Sequence, residues 1–333
     1  MADSQAAAPV EGPPYPVPIA VLGGVPVPSV DDPISAVFLA LFLCLAAVHM
    51  TIYQLNRRKS HLFVFSGLLF ALSMARSSAM VMRIVWAANP TNVRIALAAN
   101  ILSQAGVVIL FIANLFFAQR MVRAYLPPVG WHAATRWTLR GLVSSVIACL
   151  VMVIVTVIHS SYTTDRDGLD KDRKVQLVAG TFFVVLAFLP IPVKTTTSTV
   201  GRPEKFGTGR LRTKVRLLLF TSFLLTLGAA FRVATMYAAR PANNPAWYHS
   251  RACYYCFNFV IEVIVSGLYA AVRFDRRFHV PNGSKGPGDY SRKAGDATAT
   301  GHVNTEEEVF GAGSEGDEAS DEAQKDKQEK EEV

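Results

Sequence analysis

Arg76, Arg83, Arg232 and Glu262 each interrupt a long run of apolar residues, and they are the side chains of this sequence best placed to do chemistry. Arg76 and Arg83 are seven residues apart, which sets them on one face of a helix. Asn258, Glu262, Ser266 and Tyr269 share a helical stripe through i, i+4 and i, i+3 spacing, and Asn100 and Gln104 are again four apart. Ionisable groups surrounded by apolar sequence turn toward the interior of a helix bundle and find partners there. Two readings follow. Glu262 pairs with Arg232 or Arg76 and locks helices together, or the cluster lines a ligand pocket or polar pathway. Interhelical polar pairs are common, which favours the lock.

Other reactive residue types supply less. His49 and His159 lie in or at the end of apolar stretches, and no HExxH or second buried ligand accompanies them. Cys253 and Cys256 form a CxxC without the second pair that a zinc site needs. The sequence contains no catalytic constellation, no metal-ligand set and no cofactor motif, so an intramembrane enzyme is disfavoured.

The elements that must carry these residues are helices long enough to cross a bilayer. A span needs about 20 mostly apolar residues, because the hydrocarbon core is about 30 Å thick and a helix rises 1.5 Å per residue. Seven stretches qualify: 33–55, 62–85, 95–118, 141–158, 175–193, 217–237 and 252–272. The fifth is the weakest, holding Pro190 and Pro192 and running straight into Lys194. The expected fold is all-α, a polytopic seven-transmembrane helix bundle. Lys and Arg number 17 in the loops on one side and 7 on the other, which predicts an external N-terminus and a cytosolic C-terminus.

Composition agrees. The 333 residues are 51% hydrophobic and only 17% charged, and the net charge of +8 conceals a split. Residues 306–333 hold 12 of the 25 acids and 3 of the 33 bases. A basic apolar body with an acidic end is no nucleic-acid-binding domain; its first partner is the lipid bilayer. Residues 1–32 read as a disordered external tail, 33–272 as the transmembrane domain and 273–281 as a short interfacial helix carrying Phe274 and Phe278. Residues 282–333 read as a disordered acidic cytosolic tail. The loop bearing Lys205, Arg210, Arg212, Lys214 and Arg216 faces the cytosol, for anionic lipid or a signalling partner such as a G protein. The aromatic loop 243–249 either anchors at the interface or gates a ligand.

Several strings together resemble a known group: Val48-His-Met-Thr-Ile-Tyr53, Met82-Arg-Ile-Val-Trp86, Asn89-Pro-Thr-Asn92 and Phe188-Leu-Pro-Ile-Pro192, then Glu204-Lys-Phe-Gly207, Asn244-Pro-Ala-Trp-Tyr-His249 and Asp275-Arg-Arg-Phe-His-Val-Pro281. The chain resembles, over about residues 33–284, a fungal family of seven-span membrane proteins of unknown function. Its members often carry the label of family-C-like G-protein-coupled receptors. The resemblance implies seven spans, an external N-terminus and basic inner loops. It brings no mechanism. Span three ends Ala118-Gln-Arg120 where rhodopsin-like receptors have Asp-Arg-Tyr, and span seven has neither Asn-Pro-x-x-Tyr nor a lysine for retinal. The functions left open are a receptor-like sensor and a small-molecule or lipid transporter. The sensor is favoured slightly, because no internal repeat is visible and only span five is broken by proline.

Overall fold

The computed structural model describes residues 12–16, 18–58, 63–192, 203–281, 284 and 286–291. Expectations for 193–202, Asn282 and the acidic tail beyond 291 fall outside these. The helices are α1 (Pro28–Arg57), α2 (Val64–Ala88), α3 (Val93–Ala105), α4 (Val108–Tyr125), α5 (Pro127–Gly130), α6 (Ala133–Tyr162), α7 (Arg166–Phe188), α8 (Leu211–Tyr237), α9 (Arg251–Tyr255), α10 (Ile261–Ala271) and α11 (Phe274–Arg277). A five-residue π-helical segment, Cys256–Val260, joins α9 to α10. Seven of the resulting rods are long and apolar enough to span a membrane, with α3 and α4 forming the third and α9 to α10 the seventh. Among the described residues there is no strand, only an isolated bridge between Ile19 and Pro241.

Local chemistry sets the starts of these helices. Pro28 opens α1 at a position whose N–H would be unpaired in any case. The Asn92 side chain caps α3 by accepting from the amides of Arg94 and Ile95, and Asp165 caps α7 by accepting from Gly168. That cap begins the fifth helix nine residues before the expected Val175, so the charged run 166–174 is helical rather than loop. Such a run is compatible with helix once a cap satisfies its first amides.

The outer surface establishes the solvent. Val37, Val151, Val155, Val178, Val185 and Phe223 are all more than half exposed on helix faces. α6 buries only Leu139, Val143, Val146, Thr156 and Ser161 of its 30 residues. Apolar faces of this extent belong against hydrocarbon, where a helix pairs its whole backbone internally. The protein is a multi-pass membrane protein. Trp137 and Trp247, 67% and 77% exposed near opposite ends of the bundle, suit the two interfacial belts.

α4 is the central rod, packed on α2, α6, α7 and α8 and buried on nearly every side. Two terminal features depart from expectation. Residues 18–27, read as part of a disordered tail, lie across the N-terminal face. Ala20 donates to the Arg240 carbonyl at 2.8 Å, Ala242 to Pro18 at 3.0 Å and Gly23 to His249 at 3.0 Å. Gly23 has φ +82°, and a Cβ there would lie 2.6 Å from the Tyr254 ring, so only glycine fits. At the opposite face, α11 turns Phe274 and Phe278 into the bundle rather than toward lipid. Phe278 stacks on Phe117 with centroids 4.5 Å apart, and Phe274 meets Phe63 edge-on at 5.1 Å. Once their apolar area can be buried on α4, the interface has less to offer these rings.

Candidate functional site: a polar ladder and an arginine-lined cavity

The mid-bundle centre is Arg76. Its Nε and Nη2 donate to the two carboxylate oxygens of Glu262, a bidentate pair in which both residues are almost wholly buried. Its Nη1 donates to the carbonyls of Leu102, at 3.2 Å, and Ser103, at 2.5 Å. Those carbonyls end α3, where the third span breaks at Gly106 and Val107 before α4 begins. The arginine therefore supplies donors that the broken ladder no longer does. A Cβ on Gly106 would lie 2.9 Å from Arg76 Nε, so the break also makes room for the guanidinium. Glu262 approaches from just beyond the π-helical segment. There Asn258 Nδ2 donates to the Tyr254 carbonyl at 2.9 Å, compensating locally for the widened turn.

Arg83 belongs to a second centre, nearer the N-terminal face. Its Nη2 donates to Asp31 Oδ1 at 3.0 Å and to the Gly23 carbonyl at 2.9 Å, and Nη1 reaches the Gly24 carbonyl at 3.2 Å. The Tyr255 hydroxyl donates to the same Asp31 oxygen at 2.9 Å, and Arg251 lies 3.0 Å from the other. The guanidinium also sits 4.6 Å from the Tyr254 ring centroid. Asp31 was missed in the sequence, although an acid in the first turn of span one and an arginine near the matching end of span two were both visible.

Below Glu262 the polar stripe of span seven continues. Ser266 Oγ meets His49 Nε2 at 2.9 Å. The Tyr269 hydroxyl donates to Asn114 Oδ1, and Asn114 Nδ2 donates onward to Ser222 Oγ at 3.2 Å. At the C-terminal face Asp275 accepts from Asn56 at 3.0 Å and from Arg273 at 2.9 and 3.1 Å. Burial works to raise the Asp275 carboxyl, but the Arg273 and Asn56 hydrogen bonds and the Arg273 charge outweigh it and hold it below the usual carboxylate range. A ladder of partnered polar groups thus runs along α9 to α11 from one face to the other.

Arg232 stands apart. It makes no hydrogen bond or ion pair with its side chain among the described residues, though it lies within electrostatic reach of Glu262 and Arg76. It opens into a cavity between α3, α4, α6, α7 and α8 that holds about 690 Å³ of atom-free space, part of it open to the outside. Gln104 and Gln176 join it in an otherwise apolar wall that includes Phe111, Leu150 and Phe183. The expected cluster therefore divides. Arg76 and Glu262 come together; Arg83 pairs elsewhere; Asn258 serves its own helix; Arg232 and Gln104 line the cavity; and Asn100, half-buried, makes no side-chain hydrogen bond among the described residues.

Of the basic loop, Lys205, Arg210, Arg212 and Arg216 are exposed at the C-terminal face. Lys214 is a correction. It is 1% exposed, donates its Nζ to the Phe206 carbonyl and lies 4.2 Å from that ring's centroid, fastening the loop instead of presenting charge.

Residues 193–279 match a family described as a protein of unknown function, DUF3112. The match takes in α8 to α11, and with them Arg232, Asn258, Glu262 and Asp275. Arg76, Arg83 and Gln104 lie outside it. No curated protein and no solved structure matches the chain.

Proposed function

We propose that this multi-pass membrane protein is a receptor-like sensor, with its N-terminus outside and the plasma membrane as its location. A ligand in the intramembrane cavity is coupled to the basic cytosolic face of Lys205, Arg210, Arg212 and Arg216. The observation that carries this reading is the ladder along the seventh helix. Its separate rungs, Glu262 with Arg76, Ser266 with His49, Tyr269 with Asn114 and Asp275 with Asn56, follow one another along that helix toward the basic loop. A G protein or another acidic cytosolic partner is the expected reader of that face.

A second reading, a transporter or lipid translocator, draws support from a different observation. The break in span three and the π-helical segment of span seven lie at the same place, around Arg76 and Glu262. Transporters build their sites at such interrupted helices.

Cells carrying the full chain with a fluorescent acceptor on heterotrimeric G protein distinguish the two. The sensor predicts energy transfer that changes with added amphiphile and is lost on joint charge reversal of Arg210, Arg212 and Arg216. No recruitment, together with flux of a labelled amphiphile across reconstituted vesicles, would replace the sensor with the transporter.

A further inference from the structure

The three arginines that interrupt the apolar runs, Arg76, Arg83 and Arg232, differ in what answers their charge. Arg83 has Asp31, and Arg76 occupies both oxygens of Glu262. Among the described residues Arg232 has no carboxylate left to take, because the acid within its electrostatic reach is already held at both oxygens. A cation in an apolar, water-poor setting is expensive without a counter-charge, and bundles that keep one use it for substrate or ligand. Arg232 lines this space, and among the described residues the only other polar side chains on that wall, Gln104 and Gln176, carry amide donors suited to an anion. The remaining wall is aliphatic and aromatic over five helices. The α6 surface beside it exposes Val151 and Val155, an apolar face suited to hydrocarbon.

We propose that this cavity binds a single-chain anionic amphiphile, its carboxylate or phosphate head held by Arg232 with Gln104 and Gln176, its chain along the apolar wall. The guanidinium fork suits both heads, since each presents paired oxygens. This rests on reading the cavity as the ligand site, and it adds the ligand's class.

The test is direct binding, independent of signalling or flux. Purified full chain in phosphatidylcholine nanodiscs is titrated with cis-parinaric acid, and with its methyl ester as a neutral probe. The acid is expected to bind saturably at one per chain, with the ester weaker by about tenfold or more, as for loss of a charge-assisted hydrogen bond. Arg232→Gln should weaken the acid by a similar factor and leave the ester unchanged. Val153→Trp, which fills the cavity without touching the arginine, should abolish both. Oleate and lysophosphatidate are then compared as competitors: the stronger names the head, and failure of both to displace the probe overturns the proposal. Equal binding of acid and ester, or undiminished binding to Arg232→Gln, also overturns it. If Arg232→Gln does not fold, the acid–ester comparison and Val153→Trp still decide. Saturable acid binding without partner recruitment would remove the sensor and leave this site standing; recruitment by a neutral ligand alone would do the reverse.

Discussion

Replacing Glu262 by alanine tests the central pair. Arg76 would keep its contacts to the Leu102 and Ser103 carbonyls but lose both carboxylate partners. Removing one member of a buried pair costs about 3–5 kcal/mol, since the survivor stays desolvated and uncompensated. Two charge-assisted hydrogen bonds at about 1.5–3 kcal/mol each sum to about 3–6 kcal/mol, which overlaps that range. Against a total stability of about 5–15 kcal/mol that is a large fraction. At about 2–4 °C per kcal/mol for a domain of this size, the melting temperature should fall by roughly 6–20 °C. Truncation alone could lower it too, so the decisive measurement is a cycle of Glu262→Gln, Arg76→Gln and the double variant, melted in one detergent. The double variant should be less damaged than the sum of the singles by about 1–3 kcal/mol, the range of contacting pairs. Strict additivity would refute the claim that the two residues stabilise the bundle through each other.

Gly106→Ala brings a Cβ to 2.9 Å from Arg76 Nε and should cost about 1–3 kcal/mol, an effect reduced in an Arg76→Gln background where the shorter side chain can yield. Gly23→Ala meets both the Tyr254 ring and a left-handed backbone, so hydrogen exchange across 18–27 should accelerate while the spans stay protected. His249 gives that segment a pH dependence. Burial, with the Arg240 charge adding to it, lowers the imidazole below its ordinary 6.5. A depressed histidine contributes stability that is complete above the unfolded value of about 6.5 and declines as pH falls below it. Exchange across 18–27 should therefore rise on acidification below that point, and His249→Gln should flatten the profile; an unchanged profile would exclude the imidazole as its source.

The number of spans and their approximate positions were legible because one constraint, backbone pairing in hydrocarbon, leaves a 20-residue apolar run little choice. The break in span three was not. Gly106 is a lone glycine in an apolar run, and its significance comes from Arg76, 30 residues earlier, whose guanidinium takes the carbonyls that the break releases. The π-helical segment gave no signal either, since Cys256–Val260 reads as ordinary helix. Pairing Glu262 with either Arg76 or Arg232 was as far as spacing could go, because periodicity fixes a residue's face on its own helix and not that helix's neighbour. Lys214 shows the same limit. As one base among many in a loop it reads as surface, and only the folded-back Phe206 carbonyl gives it an inward partner. Asp31, by contrast, could have been found. It is an acid at the edge of an apolar run, and Arg83 stands near the matching end of the next one.

Arg232 and the Arg76–Glu262 pair are not independent, and that dependence gives a way to see the cavity act on the bundle. Glu262 sits between two cations, one bonded to both its oxygens and one acting at a distance without contact. Both cations attract it. An anion on Arg232 would cancel the second contribution and leave Glu262 relying on Arg76 alone, at the point where the third span is broken and the seventh is widened. Removing the charge by Arg232→Gln should imitate this in part. Glu262→Gln should then cost less in the Arg232→Gln background than in the natural chain, because less stabilisation of the carboxylate remains to be lost. The expected non-additivity is about 0.5–1 kcal/mol, the low end for coupled residues, as the two groups do not touch. It should shrink when saturating oleate occupies the natural chain and should persist with the methyl ester. Additive variants would mean that Arg232 does not reach the carboxylate through the cavity wall, and a ligand there would have no electrostatic route to the helix that carries the ladder.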